Sequence, residues 1–248
     1  MKIHLILGAL IAAAAISPAR ADDAAPAATQ ATAPPAAAAA TAASTESDVT
    51  RDDARLSNFA DLFFSGTVGE SAPELTMDFV PGTALGSTPL VFEKTKLDDL
   101  QKSFGGTLHA QGDAGNGVTW LCFTRHAATR ADTPRTVWFT STNEMADAGH
   151  TLSMVVVQNV DAAKVSGCAT APANFSFPSF GLPALGAALS DIKQKFGSAR
   201  RDRQGNVYFN STRPTDDGSG TSIYQSAGYF VNKKGIVTGF ALSQVTTD

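Results

Sequence analysis

Apolar residues recur at helical spacing in two places along the chain and alternate at strand spacing between and after them. Leu97, Leu100 and Phe104 stand at i, i+3 and i+7 with Gly105 next; Leu189, Ile192 and Phe196 repeat the spacing with Gly197 next. Such positions line one face of a helix, and a glycine after the last of them supplies the left-handed residue on which helices commonly stop. Helices are therefore predicted over 97–104 and 189–196. Thr95, three residues before Asp98, reads as the N-cap of the first. Leu185 extends the second stripe one turn earlier, and Pro183 stands where proline is tolerated at a helix start.

After each helix the same order of signals follows. Behind Gly105 come a strand over 107–111, a turn over 112–117 and a strand over 118–124; behind Gly197 come a strand over 199–203, a turn over 204–206 and a strand over 207–211. Asn116-Gly117 and Gly205-Asn206 are hairpin signals because these residues tolerate positive φ. Two further strands then close each half: 136–142 and 152–159 in the first, 222–232 and 236–245 in the second, the latter pair joined across Lys233-Lys234-Gly235. In the last strand Ile236, Thr238, Phe240 and Leu242 share one face, and the smaller set Val237, Gly239, Ala241 and Ser243 shares the other. Val155-Val156-Val157 is apolar on both faces, which suggests a central strand where the two halves meet. The expected fold class is α+β, two tandem units of one helix plus a four-strand antiparallel meander, with helices covering one sheet face. Unit one spans 84–170 and unit two 171–248.

The N-terminal part differs in kind. Lys2 precedes about a dozen apolar residues from Leu5 to Ile16, then Ser17-Pro18 and the small-x-small triplet Ala19-Arg20-Ala21, the three parts of a cleavable signal peptide over 1–21. That run is too short to span a bilayer, and no later run is longer, so no integral membrane segment is expected in the mature chain. Residues 22–47 are Ala-, Pro- and Thr-rich with few large apolar side chains, which predicts a disordered linker, either a spacer or compositional drift. In the extension over 48–83, Leu56, Phe59, Leu62 and Phe63 predict an amphipathic helix over 53–64. That helix caps the sheet or docks on a partner or membrane surface, although it lacks the Lys/Arg-rich polar face usual for the last role.

Tandem helix-plus-four-strand units in an exported chain, with a disulfide in one unit, resemble the beta-lactamase inhibitor protein family. Single units of that kind are similar to the small outer-membrane assembly lipoproteins. The resemblance covers about 84–245 and is one of topology and punctuation. It implies a binding module that presents a sheet face to another protein. The chain departs from both groups in having two cysteines in all and no lipid-anchor cysteine, and no binding residue carries over by motif.

Cys122 and Cys168 in an exported chain predict one disulfide; their spacing is not Cys-x-x-Cys, and no His stands at ligand spacing to either. The full chain carries 19 Lys and Arg against 23 Asp and Glu, a net charge of −4. Loss of Lys2 and Arg20 with the signal leaves −6, which argues against nucleic acid as a partner. No serine-hydrolase elbow, zinc-protease, phosphate-loop or dinucleotide motif occurs, and no catalytic residue, metal site or cofactor is expected. His109, His126 and His150 read as surface residues. The candidate binding surface comprises Trp138, Tyr229 and Phe230 on strands, and the basic cluster Arg200, Arg201 and Arg203 on an edge strand. The function expected is a non-enzymatic, protein-binding or accessory role in the periplasm of a Gram-negative bacterium, with another envelope protein as partner. The alternatives are a small-ligand carrier with a pocket between the two halves, and an enzyme with a dispersed site.

Overall fold

The structure, a computed structural model, describes residues 82–112, 117–127, 129, 133–142, 150–160, 165, 167–198, 201, 205–215 and 218–247. The expected signal peptide, linker and amphipathic helix lie outside the described residues, as do Arg200 and Arg203. The described chain opens with a hairpin that straddles the expected boundary between the N-terminal extension and unit one, where no strands were expected. Strands β1 (Gly82–Leu85) and β2 (Thr88–Val91) pair across the turn Gly86-Ser87, a Gly-x dipeptide of the kind that two-residue hairpins use. Gly86 has φ 64°, and a Cβ there would stand 2.6 Å from the Asn174 carbonyl oxygen, so the turn packs backbone on backbone.

Helix α1 (Leu97–Phe104) leads to β3 (His109–Gln111), β4 (Val118–Arg125), β5 (Arg135–Thr142), β6 (Met154–Gln158) and β7 (Ala169–Thr170). Helix α2 (Leu189–Phe196) leads to β8 (Asn206–Pro214), β9 (Ser222–Val231) and β10 (Val237–Thr247). The expectation of two helix-plus-sheet units is corrected here. The eight strands from β3 onward form one sheet in the order β3-β4-β5-β6-β10-β9-β8, antiparallel throughout except that β7 pairs parallel with β4. With the β1–β2 hairpin beside it and two eight-residue helices among the described residues, the fold is mostly β. The physical reason lies in β6 and β10. Val155, Val156 and Val157 are apolar on both faces, and pairing with β10 from Gly239↔Gln158 to Ser243↔Met154 satisfies the backbone edge that a separate unit would leave open.

Two details at the helix starts also differ from expectation. Lys96, not Thr95, is the N-cap of α1 and makes no side-chain cap; Thr95 Oγ1 accepts the Val91 N–H at 2.8 Å instead. Backbone pairing does the work of capping, since Leu97 N–H donates to the His150 carbonyl at 3.0 Å. Leu185 stands outside α2 because Gly186 takes φ 88° and donates its N–H to the Val237 carbonyl. In α2 the Asp191 carboxylate accepts the Ala188 N–H at 2.9 Å, one half of a capping box whose other half alanine has no acceptor to make.

The register separates the two sheet faces. On one, Leu121, Phe123, Val137, Phe139, Val155, Val157, Val207, Phe209, Tyr229, Phe240 and Leu242 form a core with Leu97, Leu100, Ile192 and Phe196 of the helices. Val237 belongs to this core as well, contrary to its expected place on the small-residue face. A bulge between Val237 and Gly239 inserts Thr238 and turns Val237 toward the helices. Phe175, from the connection before α2, sits under α1 with its ring 5.3 Å from Phe104, 5.0 Å from Phe123 and 5.4 Å from Phe177. Glu93, at φ 60° after β2, ties the hairpin to the end of β10. Its carboxylate accepts from Gln244 Nε2 (2.6 Å), Thr246 Oγ1 (2.9 Å) and the Thr246 N–H, and Gln244 in turn accepts from Gln225 Nε2 at 2.8 Å.

Candidate binding face

The other sheet face lies away from the helices. Across its β4–β6 part it carries Trp120, Cys122, Trp138, Met154 and Val156, all buried. Cys122 and Cys168 form a disulfide with a Cα–Cα distance of 4.9 Å, which brings the connection after β6 back over this face. Val160, Val165 and Cys168 pack there, and β7 then extends the outer edge of β4 beyond β3. His109 stacks on Trp120 at 5.7 Å and donates its Nε2 proton to the Gly167 carbonyl at 3.1 Å, one residue before the disulfide. The disulfide end of the face is thus closed by its own chain. The indole N–H groups of Trp120 and Trp138 are buried there with no hydrogen-bond partner among the described residues.

The β8–β10 part is built differently. Tyr208 stands opposite Gly228, and Phe230 stands opposite Gly239 on one side and Asn206 on the other. An aromatic ring opposite a glycine covers backbone that glycine leaves bare. A Cβ at position 239 would stand 3.1 Å from Gln158 Cγ and 3.5 Å from Phe230 Cβ, so that floor has little spare room. Toward the free end of β9 the face opens. Tyr224 is 44% exposed, the one large hydrophobic among the described residues to be so, with Thr212 and Val245 as its cross-strand neighbours. None of the side chains that β8, β9 and β10 direct to this face is charged; around Tyr224 they are Asn210, Thr212, Ser226, Ser243 and Val245.

Of the residues expected to form a binding surface, the described ones, Trp138, Tyr229, Phe230 and Arg201, are not brought together. Trp138 is fully buried on the face away from the helices, closed in beside the disulfide. Tyr229 is fully buried on the opposite face, between Phe196 and Phe240, because the strand alternation that sends Phe230 outward sends Tyr229 inward. Phe230 is half-buried on the outer face. The Arg201 guanidinium donates to the Val231 carbonyl at 3.0 Å, the Asn232 carbonyl at 3.2 Å and the Gly205 carbonyl at 3.4 Å. Its donors therefore bind the β9–β10 turn and its own loop. Sequence reasoning placed Tyr224 on a strand but had no register with which to assign it to the open end of a face.

Burial holds the Tyr229 phenol well above its ordinary pKa, and its hydroxyl has no hydrogen-bond partner among the described residues. An unpaired buried hydroxyl carries a desolvation penalty of about 1–3 kcal/mol. Tyr229→Phe is accordingly expected to raise stability by about 1 kcal/mol, seen as a higher urea midpoint at unchanged slope. A lower midpoint would show that the hydroxyl is satisfied.

Among the described residues no three His, Cys, Asp or Glu side chains converge where a metal ion would fit, and no helix is long and apolar enough to cross a membrane. His150 Nδ1 lies 3.3 Å from Asp98 Oδ2 at the start of α1. The disulfide fits a protein that resides outside the reducing cytoplasm. No protein-family model, curated protein or solved structure matches the chain.

Proposed function

We propose that this chain is an exported, non-enzymatic protein of the cell envelope, periplasmic in a Gram-negative bacterium, that binds another protein through the outer face of β8–β10. The observation that carries the reading is Tyr224, exposed on a face to which β8, β9 and β10 direct no charged side chain among the described residues. Protein interfaces concentrate binding energy in aromatic anchors and exclude charge from their centres. The helix-side face is filled by its own core and offers no such anchor among the described residues. The signal-like segment over 1–21 and the disulfide support residence outside the cytoplasm. The carrier alternative gains nothing from the join between β6 and β10, where the strands pair directly and Val155, Val156, Val157, Phe240, Ala241 and Leu242 are buried.

The test is Tyr224→Arg. Arginine at an exposed strand position is expected to change folding stability by no more than about 0.5 kcal/mol. It is expected to reduce recovery of a crosslinked envelope partner by about tenfold, or about 1.4 kcal/mol of binding. Equal recovery of the same partner by both chains would contradict the assignment of this face.

A further inference from the structure

A second feature, independent of the outer face, lies at the mouth of the β4–β5 hairpin. Arg125 and Arg135 are direct cross-strand partners, the last residue of β4 opposite the first of β5. Like charges placed directly opposite in an antiparallel pair destabilise it, so this arrangement works against the free fold. Both are exposed, and neither forms an ion pair among the described residues.

The two guanidinium groups are not equivalent. Arg125 is held in place, since its Nη2 donates to the Phe175 carbonyl at 2.6 Å and its guanidinium lies 5.2 Å from the centre of the Phe177 ring. That hydrogen bond uses one nitrogen and leaves the other N–H donors of the fork without a hydrogen-bond partner among the described residues. Arg135 makes no side-chain hydrogen bond among the described residues. One pre-ordered guanidinium and one with no side-chain hydrogen bond among the described residues, carried by cross-strand partners on one sheet face, make a clamp for a planar or tetrahedral oxyanion, which each fork meets with parallel N–H donors.

We infer that Arg125 and Arg135 form a binding site for a single oxyanion group, phosphate or carboxylate. Binding such a group would replace the repulsion across the strand pair by two attractions. The chain's net charge of −4 works against long polyanions and leaves a local contact with one group as the fitting occupant.

Thermal unfolding of the full chain at constant ionic strength tests this, with sodium chloride as reference and inorganic phosphate or glutarate as probe. The wild-type midpoint is expected to rise saturably with at least one probe. Phosphate alone would indicate a phosphoryl group as the natural ligand, and glutarate alone an acidic side chain. Arg135→Ala, at an exposed strand end, is expected to match or exceed the wild-type midpoint in chloride and to weaken the response to the active probe at least tenfold. Arg135→Lys keeps the charge without the fork and is expected to fall between the two. No response to either probe, or an undiminished response in Arg135→Ala, would overturn the site.

Discussion

Removing the disulfide, by Cys122→Ser together with Cys168→Ser, is expected to lower folding stability by about 4 kcal/mol. The bond closes a loop with a sequence separation of 46, and the loss of that constraint on the unfolded chain accounts for a term of this size. Its removal also releases the connection that packs Val160 and Val165 against the cluster containing Trp120 and Trp138, and with it the two-residue parallel pairing of β7 with β4. Urea unfolding of the double variant beside the oxidised wild type measures the difference. Wild type under reducing conditions should fall toward the same midpoint. A loss below about 1 kcal/mol would mean that the His109–Gly167 hydrogen bond and the β7 pairing already hold the connection without the covalent link.

Phe175→Ala is expected to lower stability by about 3–5 kcal/mol, the range for deleting a buried phenylalanine that the surroundings cannot refill. Phe175 lies in an irregular connection, yet its ring touches Phe104 from α1, Phe123 from β4, Phe139 from β5 and Phe177 from its own segment. Its carbonyl also holds Arg125. Truncation therefore removes a contact common to the helix, the sheet and the connection, and leaves Arg125 attached to a loosened loop. Chemical denaturation reads the stability change, and the response to phosphate or glutarate should weaken in the same variant. A change under about 1 kcal/mol would show that α1 settles onto Phe123 and Phe139 without it.

The local periods were legible in the chain. Leu97-x-x-Leu100 and Leu189-x-x-Ile192 are the two helices, each ended by its glycine, and the strands expected over 118–124, 136–142 and 222–232 form as Val118–Arg125, Arg135–Thr142 and Ser222–Val231. The two cysteines, read as one bond, are one bond. Val155-Val156-Val157, read as a central strand where the halves meet, is β6, and it joins them by pairing with β10. That β10 in particular is its neighbour was not legible, because periodicity reports which residues are buried and not which strand lies beside them. Val155-Val156-Val157 signals two covered faces, but nothing local says that β10 supplies the neighbouring strand. The same limit applies to Tyr224 and Tyr229. Both are tyrosines on one strand, five positions apart, and an odd interval places them on opposite faces. Which face is filled by helices depends on Phe196 and Phe240, contacts far away in sequence. Arg201 shows the same effect with charge, since its carbonyl partners at Val231 and Asn232 come from a turn about thirty residues on.

The central claim, that the open end of the β8–β10 face meets another protein, is tested most directly by a photo-crosslinking amino acid placed at position 224 of the full chain in its native cells. A control carries the same group at position 193, exposed on α2 on the opposite side of the sheet. The account predicts one discrete, light-dependent adduct from position 224 and none from position 193. No adduct from position 224, or the same adduct from both positions, would contradict it.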